Sequence, residues 1–151
     1  MASIKVIATN RKAYHNYFIL EGFEAGIVLT GTEIKSVREG RISLNEAYIR
    51  PEGGELYLTG AHIARYEPGS YMSHEPTRER KLLMHRKEIN ILISRVQERG
   101  LTLMPIKVYL KDGKAKLEVA LAKGKKLYDK REAIAERESD RELERAVKKK
   151  T

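Results

Sequence analysis

The chain has 151 residues, 41% of them hydrophobic, and its 30 Lys and Arg outnumber 21 Asp and Glu to give a net charge of +9. It has no cysteine, which excludes disulfides, thiol catalysis and every Cys-based zinc site. No apolar run reaches the length of a membrane span and Met1-Ala2-Ser3-Ile4-Lys5 lacks a secretory apolar segment, so a cytoplasmic protein with a polyanionic partner, nucleic acid before membrane, is expected.

Residues 1–13 are polar and basic and read as an approach to the first strand. Residues 14–20, with Tyr14, Tyr17, Phe18 and Ile19, favour β-structure, which can continue past a bend at Gly22. The stretch 22–40, GFEAGIVLTGTEIKSVREG, is the densest in signals. The strand Ile27-Val28-Leu29 leads to a short helix over 33–39, capped by Thr32 and stopped by Gly40 in a left-handed conformation. Ile34 and Val37 share one face of that helix as an apolar plug, while Lys35 and Arg38 share another that can meet a polyanion. Glu24 is a lone acid just before the strand. Glu21, at an odd separation from it, belongs on the opposite face, so the two do not form a catalytic carboxylate pair.

Residues 47–50 and 56–59 alternate around Glu52-Gly53-Gly54-Glu55, a hairpin signature with glycines at the positive-φ positions. Residues 63–77 contain Pro68-Gly69-Ser70 and Pro76 and read as a loop. His74-Glu75-Pro76-Thr77-Arg78-Glu79-Arg80-Lys81 follows, either a phosphate-binding edge through Arg78, Arg80 and Lys81 or a solvated charged loop. Ile89, Leu92, Ile93 and Val96 stand at i, i+3, i+4 and i+7, which predicts a helix over 86–99 closed by Gly100. Residues 101–111 alternate Ile106, Val108 and Leu110 against Lys107, Tyr109 and Lys111. Asp112-Gly113 makes a type I′ turn, and the return strand 114–121 points Ala115, Leu117, Val119 and Leu121 inward.

The expected fold is mainly β, an OB-type antiparallel barrel of about six strands with embedded helices at about 33–39 and 86–99. Domain 1–122 is this barrel. Residues 123–151 change character, with 11 Lys/Arg and 7 Asp/Glu and scarce apolar residues. Such a tail is expected to be disordered when free and helical on a polyanion. Its run Lys123, Lys125, Lys126, Tyr128, Asp129, Lys130 and Arg131 interleaves one aromatic with basic groups, a pattern that suits RNA but also a plain linker. Arg137, Arg141 and Arg145 form one stripe at i+4 spacing if the tail is helical.

No nucleophile elbow, phosphate loop or H-E-x-x-H motif is present, so no enzyme activity, metal site or cofactor is expected. His15, His62, His74 and His85 are scattered and read as surface or RNA-facing groups. Tyr48, Tyr57, Tyr66 and Tyr71 suit base stacking, and equally suit a half-exposed strand.

Four blocks, NRKAYHNYFI, GFEAGIVLTGTEIKSVREG, HEPTRERKLL and AKGKKLYDKR, stand in an order and spacing that resembles the small protein B (SmpB) family of SsrA RNA-binding proteins, over essentially the whole chain. The resemblance implies an OB-type barrel and a non-catalytic role in trans-translation, with transfer-messenger RNA bound at its tRNA-like part and delivered to stalled ribosomes. It carries the RNA-binding surface onto Asn10, Glu24 and Leu83, with His15, Lys35, Arg38, Arg78, Arg80 and Lys81 as neighbours. It implies that the tail from Asp129-Lys130-Arg131 works in the decoding centre of the small subunit and in the mRNA path. Tyr128 stands where some members have His, and Thr32 where some have a bulky aromatic. A monomer is expected. The alternative is a general OB-fold module that binds tRNA or single-stranded RNA within a larger assembly.

Overall fold

The computed structural model describes residues 3–66 and 73–125, arranged as nine strands and three helices. Its spine is a pair of long antiparallel strands, β8 (Thr102–Lys111) and β9 (Lys114–Gly124), joined at Asp112-Gly113. Asp112 and Gly113 both have positive φ, 51° and 79°, as a type I′ turn requires. β9 continues outward to β2 (Tyr17–Ile27), then β7 (Arg80–Leu83), β5 (Glu55–Thr59) and β4 (Tyr48–Glu52), while β1 (Ile4–Thr9) pairs on the far side of β8. The sheet curls so that β4 packs back against β8, giving a mainly β, OB-type barrel. β3 (Ile42–Ser43) and β6 (His62–Ile63) form a separate short ribbon.

The expected strands at 14–20 and 27–29 are one strand, β2, and the count still rises from six to nine because β1, β3, β6 and β7 were not foreseen. β1 pairs with β8 through a register shift, and its partner lies about a hundred residues away, so no local hairpin signal announces it. Residues 11–13 of the expected polar approach and 14–16 of the expected strand instead form helix α1 (Arg11–Asn16), and β2 starts only at Tyr17. Asn10 caps it, accepting from the Ala13 N–H at 3.1 Å and donating its Nδ2 to the Pro105 carbonyl at 2.9 Å. That carbonyl sits at a bulge of β8, where Pro105 is tolerated because the ladder is already interrupted. Under α1 lies a small apolar cluster of Ala13, Met104, Ile106, Ala120 and Ala122.

The main core is built from inward residues of the barrel, among them Leu56, Leu58, Leu82, Val108, Leu117 and Val119, all fully buried. Helix α2 (Gly31–Arg38) contributes Val37, and α3 (Arg86–Arg99) contributes Ile89 and Leu92, with Ile93 and Val96 packed against them. Gly100 ends α3 at φ 63°, and Gly40 follows α2 at φ 77°. The predicted alternation holds along β9 and past the bulge of β8: Val108, Leu117, Val119 and Leu121 are buried in the main core and Lys107, Tyr109 and Lys111 face the other way, whereas Ile106, at the bulge, joins the cluster under α1.

Thr30, not Thr32, caps α2. Its hydroxyl accepts from the Glu33 N–H at 3.3 Å, and Glu33 Oε1 accepts from the Thr30 N–H at 2.8 Å, a reciprocal capping box. The same carboxylate, fully buried, receives Arg80 Nε at 2.6 Å and Arg78 Nη2 at 2.5 Å. Arg80 spends its other donors on the carbonyls of Ala61 and Pro76, both at 3.0 Å. Thr32 instead meets His74 Nδ1 at 2.9 Å, and His74 Nε2 bonds the Ile63 carbonyl, so His74 is a buried connector rather than a surface group. Among the described residues every buried side-chain polar atom has a partner.

Burial pushes the Glu33 pKa up, but the hydrogen bonds from Arg78, the Thr30 backbone and Arg80 outweigh it and hold the group at about 2. A carboxylate depressed in the folded state stabilises the fold above its unfolded pKa near 4.5 and loses that contribution as pH falls toward 2. Urea unfolding at pH 6 and pH 3 should therefore show a marked loss of stability that Glu33→Gln flattens. Glu33→Ala should cost about 3–5 kcal/mol at pH 6, because it strands a buried guanidinium.

Candidate nucleic-acid interface

β7 is the strand that assembles the candidate site. Its side chains alternate, so Arg80 and Leu82 enter the core while Lys81 and Leu83 are exposed. The β2–β7 register pairs Gly26 with Leu83, and the β2–β9 register pairs Gly26 with Lys116 and Glu24 with Glu118. Glu24, Gly26, Leu83 and Lys116 thereby lie on the outer face of adjacent strands, with Met84, His85 and Glu88 closing a groove of about 350 Å³. Leu83 is 54% exposed, an apolar surface with no packing duty to explain it.

Gly26 keeps the floor of this groove low, since a Cβ there would stand 3.3 Å from the Leu83 Cβ. Past Leu83 the surface continues into a second groove of about 390 Å³ lined by Ile34, Arg38, Lys114 and Lys116. Arg38 lies along it and donates to the Gly113 carbonyl at 3.4 Å. On the other side of Glu24 a third groove of about 300 Å³ is lined by Ile4, Val6, Gly22, Lys107 and Tyr109. The three grooves form a continuous outer face with apolar patches and basic side chains, and with Glu24 at the middle between Glu88 and Glu118.

Glu24 itself is partly exposed. The Tyr109 hydroxyl donates to its Oε2, and Lys111 Nζ lies 3.5 Å from both of its oxygens. The Tyr109 hydrogen bond, against a smaller opposing effect of burial, holds the Glu24 pKa below its ordinary value, with Lys111 and Lys116 adding to the effect. Burial and the bond to Glu24 together raise the Tyr109 phenol well above its usual range. Both groups are therefore fixed as anion and neutral donor near neutral pH.

Of the expected site residues, the fold gathers Glu24, Leu83 and Arg38 around these grooves and leaves Lys81 exposed beside Leu83 on β7. It withdraws two others. Arg80 is fully buried on Glu33, so its expected place at the RNA surface is corrected to a core ion pair. Asn10 is 1% exposed with both ends of its amide engaged, so its part is to hold α1 on β8. Arg78 is half-exposed but tied to Glu33 and to the carbonyls of Val28 and Glu79. Lys35 lies over the Tyr66 ring, 5.4 Å from its centroid.

His15 is exposed on α1, at the other end of β9 from Glu24. Tyr17 pairs with Gly124 and Glu24 with Glu118, a separation of about 20 Å along the strands. β9 runs through Gly124, two residues beyond the expected domain boundary, and Lys125 N–H donates to the Asn16 carbonyl at 2.9 Å. Lys123 is exposed, and Lys125 Nζ sits 4.9 Å from the Phe18 ring centroid. Lys126, Tyr128, Asp129, Lys130, Arg131, Arg137, Arg141 and Arg145 lie outside the described residues, as does Tyr71.

Sequence reasoning missed Lys114, Lys116 and Tyr109. The alternation of β8 and β9 marks them as outward, but only the pairing of β9 with β2 places Lys116 and Tyr109 beside Glu24 and Lys114 in the groove past Leu83. It also missed Glu33, whose signature T-x-x-E was present at Thr30. Among the described residues no group of three or more His, Asp or Glu could hold a metal ion, and no helix is long and apolar enough to cross a membrane.

A family model described as SmpB protein matches residues 7–149. An SsrA-binding protein of Dehalococcoides mccartyi is 59% identical over 148 residues, covering 98% of this chain and 86% of that one. An SsrA-binding protein of Persephonella marina is 55% identical over 145 residues, covering 96% and 95%. A solved structure described as "tmRNA-SmpB: a journey to the center of the bacterial ribosome" superposes with a TM-score of 0.69 at 47% identity, covering 85% of this chain and 94% of that one. By sequence over nearly its whole length, and by fold, the chain belongs to the SmpB family.

Proposed function

We propose that this chain binds the tRNA-like part of transfer-messenger RNA on the outer face around Glu24 and Leu83 and delivers it to stalled ribosomes for trans-translation. The observation that carries this reading is the strand register that sets Glu24 and Leu83, 59 residues apart in sequence, on one groove. Relatives named SsrA-binding protein, and a similar chain solved as tmRNA-SmpB with the bacterial ribosome, support it.

The physics divides the work. Lys81, Arg38, Lys114 and Lys116 supply attraction for phosphates, which is strong but indifferent to sequence. Leu83 supplies an apolar surface against a base or ribose. Glu24 repels phosphate and accepts from a base N–H or a 2′-OH, so it rewards correct placement and penalises the wrong one. The tail leaves the barrel at Lys125, at the far end from the groove, so it can engage the decoding centre and mRNA path of the small subunit while the groove stays filled. Its charge, Lys123 and Lys125 included, substitutes for a missing codon–anticodon duplex. This is a binding role, with no bond made or broken by the chain itself.

In a gel-shift titration the full chain should bind a tRNA-like RNA more tightly than an unrelated duplex, and equal affinity would favour a general RNA-binding module. If about six phosphates are engaged, log K should fall against log salt with a slope near −4. Truncation belongs after Lys125 rather than Ala122, to keep the Tyr17–Gly124 pairing. That variant should retain RNA binding and fail in a reconstituted ribosome-rescue assay; a parallel loss of both would refute the division. Leu83→Ala removes an exposed side chain, so its melting temperature should stay within about 2–4 °C of the wild type while RNA affinity falls.

A further inference from the structure

Glu24 has a neighbour that makes its position unusual. It stands directly opposite Glu118 on β9, and like charges facing each other across strands repel. The structure relieves this in two ways. Glu118 leans over Gly22, where a Cβ would lie 2.8 Å from Glu118 Oε1, so a larger residue there would push the carboxylate aside. Glu24 is drawn the other way, by Lys111 and by the hydroxyl of Tyr109 from β8, beyond β9. Tyr109 is itself placed by pairing with Val6 on one side and Lys116 on the other, and it is partly buried between them.

We propose that Tyr109 is a positioning residue for RNA selection, holding the Glu24 carboxylate in one rotamer with Oε1 left to accept a hydrogen bond from a base N–H or a 2′-OH. This deepens the functional reading above and rests on it. An unrestrained glutamate on a half-exposed strand samples several rotamers and must give up that freedom when RNA arrives. The Tyr109 hydroxyl removes the freedom beforehand. It also donates to Oε2 alone, so the two oxygens differ: both lie 3.5 Å from Lys111, but among the described residues Oε1 has no further hydrogen-bond donor. A phenol suits the task because it donates a hydrogen bond without adding a cation that would draw phosphate onto the acid. Its hydroxyl keeps its proton, since burial and the adjacent carboxylate both favour the neutral form.

The test uses the full chain with Tyr109→Phe, Glu24→Ala and the double variant, with affinity for the tRNA-like RNA measured by filter binding. Tyr109→Phe should weaken binding roughly 5- to 10-fold in the parent and have no further effect in the Glu24→Ala background. The carbon-13 titration of the Glu24 carboxyl supplies a readout that a purely structural part would not move. Its midpoint should rise in Tyr109→Phe, because the phenol hydrogen bond is the chief influence lowering it. The other charged groups around it, Lys107, Lys111, Lys116, Glu118, His85 and Glu88, are the same in both proteins. If Glu24→Ala weakens binding but Tyr109→Phe does not, or if the two effects simply add, the proposal is overturned while the functional reading stands. If Glu24→Ala binds as tightly as the parent, the reading of the groove falls, and the proposal with it.

Discussion

A single buried carboxylate ties the architecture together. Glu33 begins α2, and through Arg80 it fixes β7, through Arg78 the turn before β7, and through its own backbone partner Thr30 the end of the strand that feeds α2. Arg80 extends the reach to Ala61 and Pro76. A charge this deep is costly to desolvate, and the pair is tolerated because each carboxylate oxygen and each guanidinium nitrogen of Arg80 has a partner. What such a cluster supplies is specificity of arrangement: β7 cannot slip by one residue without sending Arg80 into solvent and Leu83 into the core.

The register of β7 then sets the outer face. With Arg80 inside, Lys81 and Leu83 must be outside, and pairing with β2 brings Leu83 against Gly26. The same face receives Glu24 from β2, Lys116 from β9 and Tyr109 from β8. Glycines at 22 and 26 keep it low where side chains have to lean or a ligand has to approach. The result is a surface whose cations attract any polyanion and whose one braced acid sets a condition on how it lies.

α1 and the end of β9 serve a different purpose. Asn10 spends its amide on Pro105 and Ala13, which closes the interrupted part of β8 under a helix. Lys125 is fastened to Asn16 at the same end, so the basic tail starts from a fixed point about 20 Å from Glu24. The barrel thus keeps its groove and the last described residue of β9's end, Lys125, well apart.

The sequence by itself determined the features that depend on neighbours in the chain. Gly53-Gly54 and Asp112-Gly113 announced their turns because positive φ is a local demand, and Ile89, Leu92, Ile93 and Val96 announced α3 because a helical period is local too. Alternation marked the inner and outer faces of β8 and β9, and the four motif blocks pointed to Glu24 and Leu83. Tertiary structure alone decided which charges were free. Arg78, Arg80 and Lys81 look alike in sequence, yet Arg80 is fully buried and Lys81 is exposed. Whether a guanidinium is solvated or paired depends on a carboxylate 47 residues away, and whether Tyr109 touches Glu24 depends on the register of β9 between them. Those are consequences of long-range pairing, which no local pattern encodes.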